Sequence, residues 1–172
     1  MEADGTEFVM AVNVDVVSDD LEQARLTNAH EFAHIITQTD FELDRDVIRE
    51  ECATYWNGFG CFELDSLMWA WMSEFWDPTV LAGIDPDAEL FVADGDERCA
   101  TDDSYFGAYA ASNPEEDFAE TFSAFVYGVE PATPGQTEKL LWLESQPGLA
   151  EFRERAEFAG LAPTRNDFEV CG

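Results

Sequence analysis

Basic side chains are scarce in this 172-residue chain: 8 Lys and Arg stand against 38 Asp and Glu, for a formal charge of -30, and Lys139 is the sole lysine. A surface so negative repels phosphate backbones and anionic headgroups, which argues against nucleic-acid binding and against docking on anionic lipid. We read the acidity as a solvated surface tuned to solubility or high salt, with a preference for cationic substrates as the alternative. No apolar run approaches the roughly 18 residues needed to span a bilayer. CxxC pairs are missing, which removes zinc knuckles and dithiol redox motifs from consideration. There is also no internal repeat and no low-complexity tract. The length suits a single domain, residues 1–172, with a sizeable core.

Histidine is nearly absent too, and where it occurs is informative. His30 and His34 are the only two, and they fall in one pentapeptide, His30-Glu31-Phe32-Ala33-His34. This is the HExxH pattern of zinc metallopeptidases. On a helix, about 100° per residue returns positions i and i+4 to one face, so both imidazoles can close on a single Zn²⁺. Glu31 then reaches the metal-bound water, whose pKa zinc lowers to about 7, and acts as its general base. A buried helical His pair or a structural metal site is the competing account. The flanking sequence favours the catalytic one: Leu26, Ala29, Phe32, Ala33 and Ile36 recur at helical spacing away from the imidazoles. Ser18-Asp19-Asp20 offers N-cap residues, and Asp19 with Glu22 has capping-box spacing, so a helix is expected over residues 19–37.

Cys52, Cys61, Cys99 and Cys171 make an even set, which predicts two disulfides and an exported protein. Sequence does not fix their connectivity. Proximity, and the need to tether the C-terminus, favour Cys52–Cys61 and Cys99–Cys171. Met1-Glu2-Ala3-Asp4-Gly5 lacks a cationic-then-apolar signal and reads as a processed start, so secretion is inferred from the cysteines and the charge.

Along the chain, β-branched residues and period-2 alternation predict a strand over residues 7–17. Residues 46–55 look helical, and Asn57-Gly58-Phe59-Gly60 breaks the chain. A helix over 62–76 carries Leu64, Met68, Trp71, Met72, Phe75 and Trp76 as a core stripe. Residues 78–104 read as a long connection, a lid or a metal-binding loop, in which Asp94-Gly95-Asp96 resembles part of a calcium loop without its twelve-residue frame. Asn113-Pro114 opens another helix that Gly128 closes. A last helix or helix pair spans residues 136–159, broken at Pro147-Gly148.

A catalytic zinc needs a third protein ligand and an open position. With no further histidine it is a carboxylate, unless a thiolate serves; Glu50, Glu51, Glu116, Glu120 and several aspartates are candidates. On the wheel of the 113–128 helix, Glu116 and Glu120 lie about 40° apart, with Phe118, Phe122 and Phe125 at about 180–240°. Ala119, Ser123 and Ala124 are small enough to admit a close neighbour. Glu116 can also be read as the closing member of a capping box with Asn113.

The stretch from Tyr109 through Asn113-Pro114-Glu115-Glu116 to Glu120 and Phe122 resembles the second motif of the anthrax lethal factor-like zinc metallopeptidases, which are gluzincins. The continuation through Phe125-Val126-Tyr127-Gly128 and the 139–155 helix resembles exported bacterial zinc-binding metallopeptidases. The resemblance implies Glu116 as the third zinc ligand, Glu120 as an acid orienting a ligand histidine, and Tyr109 as a hydroxyl donor to the oxyanion. Tyr105 is a lesser alternative for that last role. It further implies a helix-dominated α+β metallopeptidase domain: a small N-terminal sheet, the HExxH helix and the Glu-bearing helix, with residues 38–108 inserted between the two motifs. The expected protein is a secreted, monomeric zinc metalloendopeptidase acting on protein or peptide substrates. The alternatives are a zinc-stabilised binding or structural domain with little turnover, and a protease whose 78–104 segment covers its cleft.

Overall fold

The computed structural model describes residues 8–10, 20–86, 92–160, 168 and 170–172. In chain order they form α1 (Leu21–Thr37), β1 (Leu43–Asp44), β2 (Cys61–Phe62), α2 (Leu67–Phe75), α3 (Pro78–Leu81), α4 (Val92–Cys99), α5 (Pro114–Val126), α6 (Pro134–Ser145) and α7 (Leu149–Phe158). Helix dominates, with one small antiparallel sheet, so the composition is α+β. Nearly all of the expected 7–17 strand lies outside the described residues. The observed sheet falls later in the chain, pairing Leu43 with Phe62 and Asp44 with Cys61. Among the described residues no helix is long and apolar enough to cross a membrane. Contacts divide the chain into two compact units, residues 1–10 with 34–91 and residues 11–33 with 92–172.

In the first unit, the hairpin turns where the sequence breaks. Asn57 Oδ1 accepts the amides of Phe59 and Gly60 at 3.0 and 3.1 Å, and Gly58 adopts φ 93°. A side chain at Gly60 would meet the Asp44 carbonyl oxygen at 2.7 Å, so the strand pair requires glycine there. The helix expected over 46–55 is reduced to a 3₁₀ turn at Arg49–Glu51, flanked by extended Ile48 and Cys52. Cys52 is disulfide-bonded to Cys61 across nine residues, and that closure holds the segment extended where local propensity favours helix. α2 starts where Ser66 accepts the Trp69 amide at 3.0 Å and Glu42 accepts that of Met68 at 3.3 Å. Its stripe buries Met68, Trp71 and Met72, with Trp76 just beyond. Leu64, expected in that stripe, precedes the helix and is exposed.

The second unit is built on phenylalanine. Phe32 of α1 stacks on Phe152 of α7 at 5.4 Å, Phe152 meets Phe122 of α5 at 5.7 Å, and Phe122 stacks on Phe118 at 6.2 Å. Asn113 accepts the Glu116 amide at 2.9 Å as N-cap of α5, with Pro114 at the first helical position. At the other end Gly128, φ 61°, donates to Phe125 O and Val129 donates to Ala124 O, a Schellman closure. Gly148, φ 87°, separates α6 from α7. Among its described residues the 78–104 segment carries two helices: Asp77 caps α3, and α4 takes in Asp94-Gly95-Asp96, which is helix rather than a calcium loop. Long-range ties outweigh the poor helix propensity of that tripeptide. Cys99 is disulfide-bonded to Cys171, and Gly172 donates to Cys99 O at 2.8 Å.

Candidate metal centre

α1 opens with an N-cap taken from the expected Ser18-Asp19-Asp20 run. The cap is Asp20, which accepts the Gln23 amide at 3.0 Å. Three turns of helix then present His30 and, one turn on, His34. Leu26 and Ala33 are buried while Ala29, Phe32 and Ile36 are half-buried, and Leu26, expected away from the imidazoles, lines the same cavity as His30. The approach of α5 is close because Ala119, Ser123 and Ala124 are small; the Ser123 hydroxyl donates to Leu26 O of α1 at 2.8 Å.

That approach delivers carboxylates to a histidine. One ligand atom each from His30, His34 and Glu116 lies within 4.8 Å of the others, a group able to hold a metal ion. His30 and Glu116 are buried, and His34 is half-buried. Two imidazoles and one carboxylate are a donor set found in zinc sites and in non-haem iron sites. His30 Nε2 lies 3.0 Å from Glu116 Oε2, and His30 Nδ1 lies 2.9 Å from Glu120 Oε1. The second contact fixes the ring from behind, as an outer carboxylate does for a ligating histidine. Burial opposes a charged ring here, but the hydrogen bonds and charges of Glu116 and Glu120 outweigh it, and the pKa of His30 is pushed up to about 10. The two carboxylates thus favour the protonated ring.

Glu31 is exposed, and a cavity of about 400 Å³ beside His30 is lined by Glu31, Tyr109 and Glu120 with Leu26, Phe106 and Phe168. Tyr109 is partly exposed, its ring centroid 5.9 Å from that of His30, and its hydroxyl is hydrogen-bonded to Glu116. Burial first, then the charge and hydrogen bond of Glu116, raise its pKa well above the ordinary phenol value, so the hydroxyl stays protonated.

The residues singled out by sequence thus gather here, with Glu120 against His30. The other ligand candidates do not: Glu50 and Glu51 are exposed on the 3₁₀ turn, outside the metal-binding group. Tyr105 belongs to the core instead, its ring 4.1 Å beneath the Lys139 ammonium. What sequence reasoning missed is the anchor behind α5. Asp117, entirely buried, pairs with Lys139 Nζ of α6 at 2.7 Å, and Lys139 is itself 1 % exposed. The one available signal was that a chain with a single lysine placed it in an amphipathic helix.

Compared with family models, curated proteins and solved structures, the chain matches none, so the reading of this centre stands on its geometry.

Proposed function

We propose that the chain is an exported zinc metalloendopeptidase of gluzincin type, hydrolysing peptide bonds in proteins or peptides. The observation that carries this reading is the convergence of His30, His34 and Glu116 beside a cavity that also receives Glu31 and Tyr109. His30, His34 and Glu116 would hold the zinc, which supplies a Lewis acid and a bound water with pKa near 7.

The chain's own groups divide the remaining work. The His30 Nε2 proton has to leave for that nitrogen to become a ligand, while Glu120 keeps Nδ1 protonated and the ring aimed. Glu31 takes a proton from the attacking water at its carboxylate and returns it to the leaving amine. Tyr109 keeps its proton and donates a hydrogen bond to the oxygen that gains charge in the transition state. Leu26, Phe106 and Phe168 line the cavity with apolar surface. Export is supported by the pairing of all four cysteines in disulfides.

The test pairs zinc analysis with proteolysis of an unfolded protein. Glu31→Gln should retain zinc and lose about 10²–10⁴-fold in turnover, whereas Glu116→Ala should lose zinc far more than Glu120→Ala or Glu51→Ala does. Zinc-loaded wild type that cleaves nothing would select a metal-stabilised binding domain instead.

A further inference from the structure

Behind Tyr109 lies a brace that the chemistry above does not use. Tyr109 is followed by the 3₁₀ turn Ala110–Ser112 and then by Asn113, the cap of α5, so three residues link the phenol to the helix bearing Glu116. The turn closes on itself: the Ser112 amide and hydroxyl both donate to Tyr109 O, at 3.0 and 2.7 Å, and the Ala111 amide donates to Gly107 O at 3.2 Å. α4 lies against it without space for a side chain. A Cβ at Gly95 would meet the Ala108 carbonyl oxygen at 2.2 Å and the Ser112 nitrogen at 3.3 Å. One helical turn on, the Arg98 guanidinium donates through Nε to Ala111 O and through Nη2 to Ser112 O, gripping both carbonyls at the end of the turn.

We propose that Gly95 and Arg98 are positioning residues that set the Tyr109 hydroxyl relative to Glu116 through the 107–112 turn. This rests on the role given above to Tyr109. Gly95 allows the contact, and Arg98 locks it by donating to the carbonyls of Ala111 and Ser112. Neither residue lines the cavity or belongs to the metal-binding group. Gly95→Ala separates positioning from general stability. Alanine is the better helix former, yet its methyl requires the turn to retreat by about 1 Å, a misplacement able to cost about 10²-fold in rate.

The experiment uses the full-length zinc-loaded protein and its Gly95→Ala, Arg98→Met, Arg98→Lys, Tyr109→Phe and Tyr109→Phe/Arg98→Met variants. Measurements are kcat, KM, zinc content and hydrogen exchange over residues 107–113 and 118–126. Expected are a kcat about 10²-fold lower for Gly95→Ala and Arg98→Met, with KM and zinc unchanged, and partial recovery in Arg98→Lys. Exchange should quicken over 107–113 and hold steady over 118–126, and Arg98→Met should add no loss in the Tyr109→Phe background. The proposal is overturned by Arg98→Met multiplying the Tyr109→Phe loss, by a full rate in Tyr109→Phe itself, or by exchange that rises equally over both segments. A wild type without turnover removes the hydrolase reading; unchanged exchange over 107–113 in the variants separately removes the brace.

Discussion

The two helices that form the candidate centre are built in opposite ways. α1 carries two imidazoles and the exposed Glu31, and much of its surface is only half-buried. α5 is enclosed: Pro114 and ten further residues, Glu116 and Asp117 among them, are buried along its 13-residue length. The difference separates two tasks. α1 lines a cavity with His30 and Glu31, the first buried and the second exposed. α5 must hold a carboxylate still inside a low-dielectric region, and most of its sequence is spent on the phenylalanines, small residues and ion pair that fix it there.

If that division is right, damage to α5 appears first as lost stability. The largest effect is expected at Lys139→Met, which leaves the Asp117 charge buried and uncompensated at a cost of about 3–5 kcal/mol. Denaturant titration measures it, and the double replacement Asp117→Leu/Lys139→Met should recover most of the loss. A single variant as stable as wild type would erase the contrast between the helices. A smaller effect is expected at Glu120→Gln, where the His30 ring loses its charged partner and zinc binds about 10–100-fold more weakly. Competition with a chelator reads this directly, and unchanged affinity would mean that α5 contributes one carboxylate to the centre rather than two.

A third test concerns pH and sharpens the comparison at the atom where the helices meet. The folded pKa of His30 is about 10 against an ordinary 6.5, so its proton stabilises the folded metal-free protein fully below pH 6.5. That contribution falls away as pH rises from 6.5 through 10. Chelator-treated protein should therefore lose stability over this window by an amount that His30→Gln abolishes. Thermal melts across the range, with the variant as control, check it.

The legible parts were those in which function or geometry demands a rare residue. His30-Glu31-Phe32-Ala33-His34 uses both histidines of the chain; Asn113-Pro114 and Gly128 bracket α5 by cap chemistry; four cysteines pair as proximity and tethering favour. The obscure parts depend on partners distant in sequence. Arg98 reads as an ordinary surface cation until the carbonyls of Ala111 and Ser112 are placed beside it. Residues 46–55 have a helical composition, but a disulfide and a neighbouring strand decide their conformation. Asp117 looked like one more acid among 38, since nothing local tells a buried carboxylate from a solvated one.

The burial of Lys139 reaches beyond the stability of α5. As the chain's one lysine, it leaves the folded surface without a single side-chain primary amine. Acylating reagents, amine crosslinkers and lysine-directed peptidases thus find no side-chain target until the molecule opens, and modification at Lys139 would itself report unfolding.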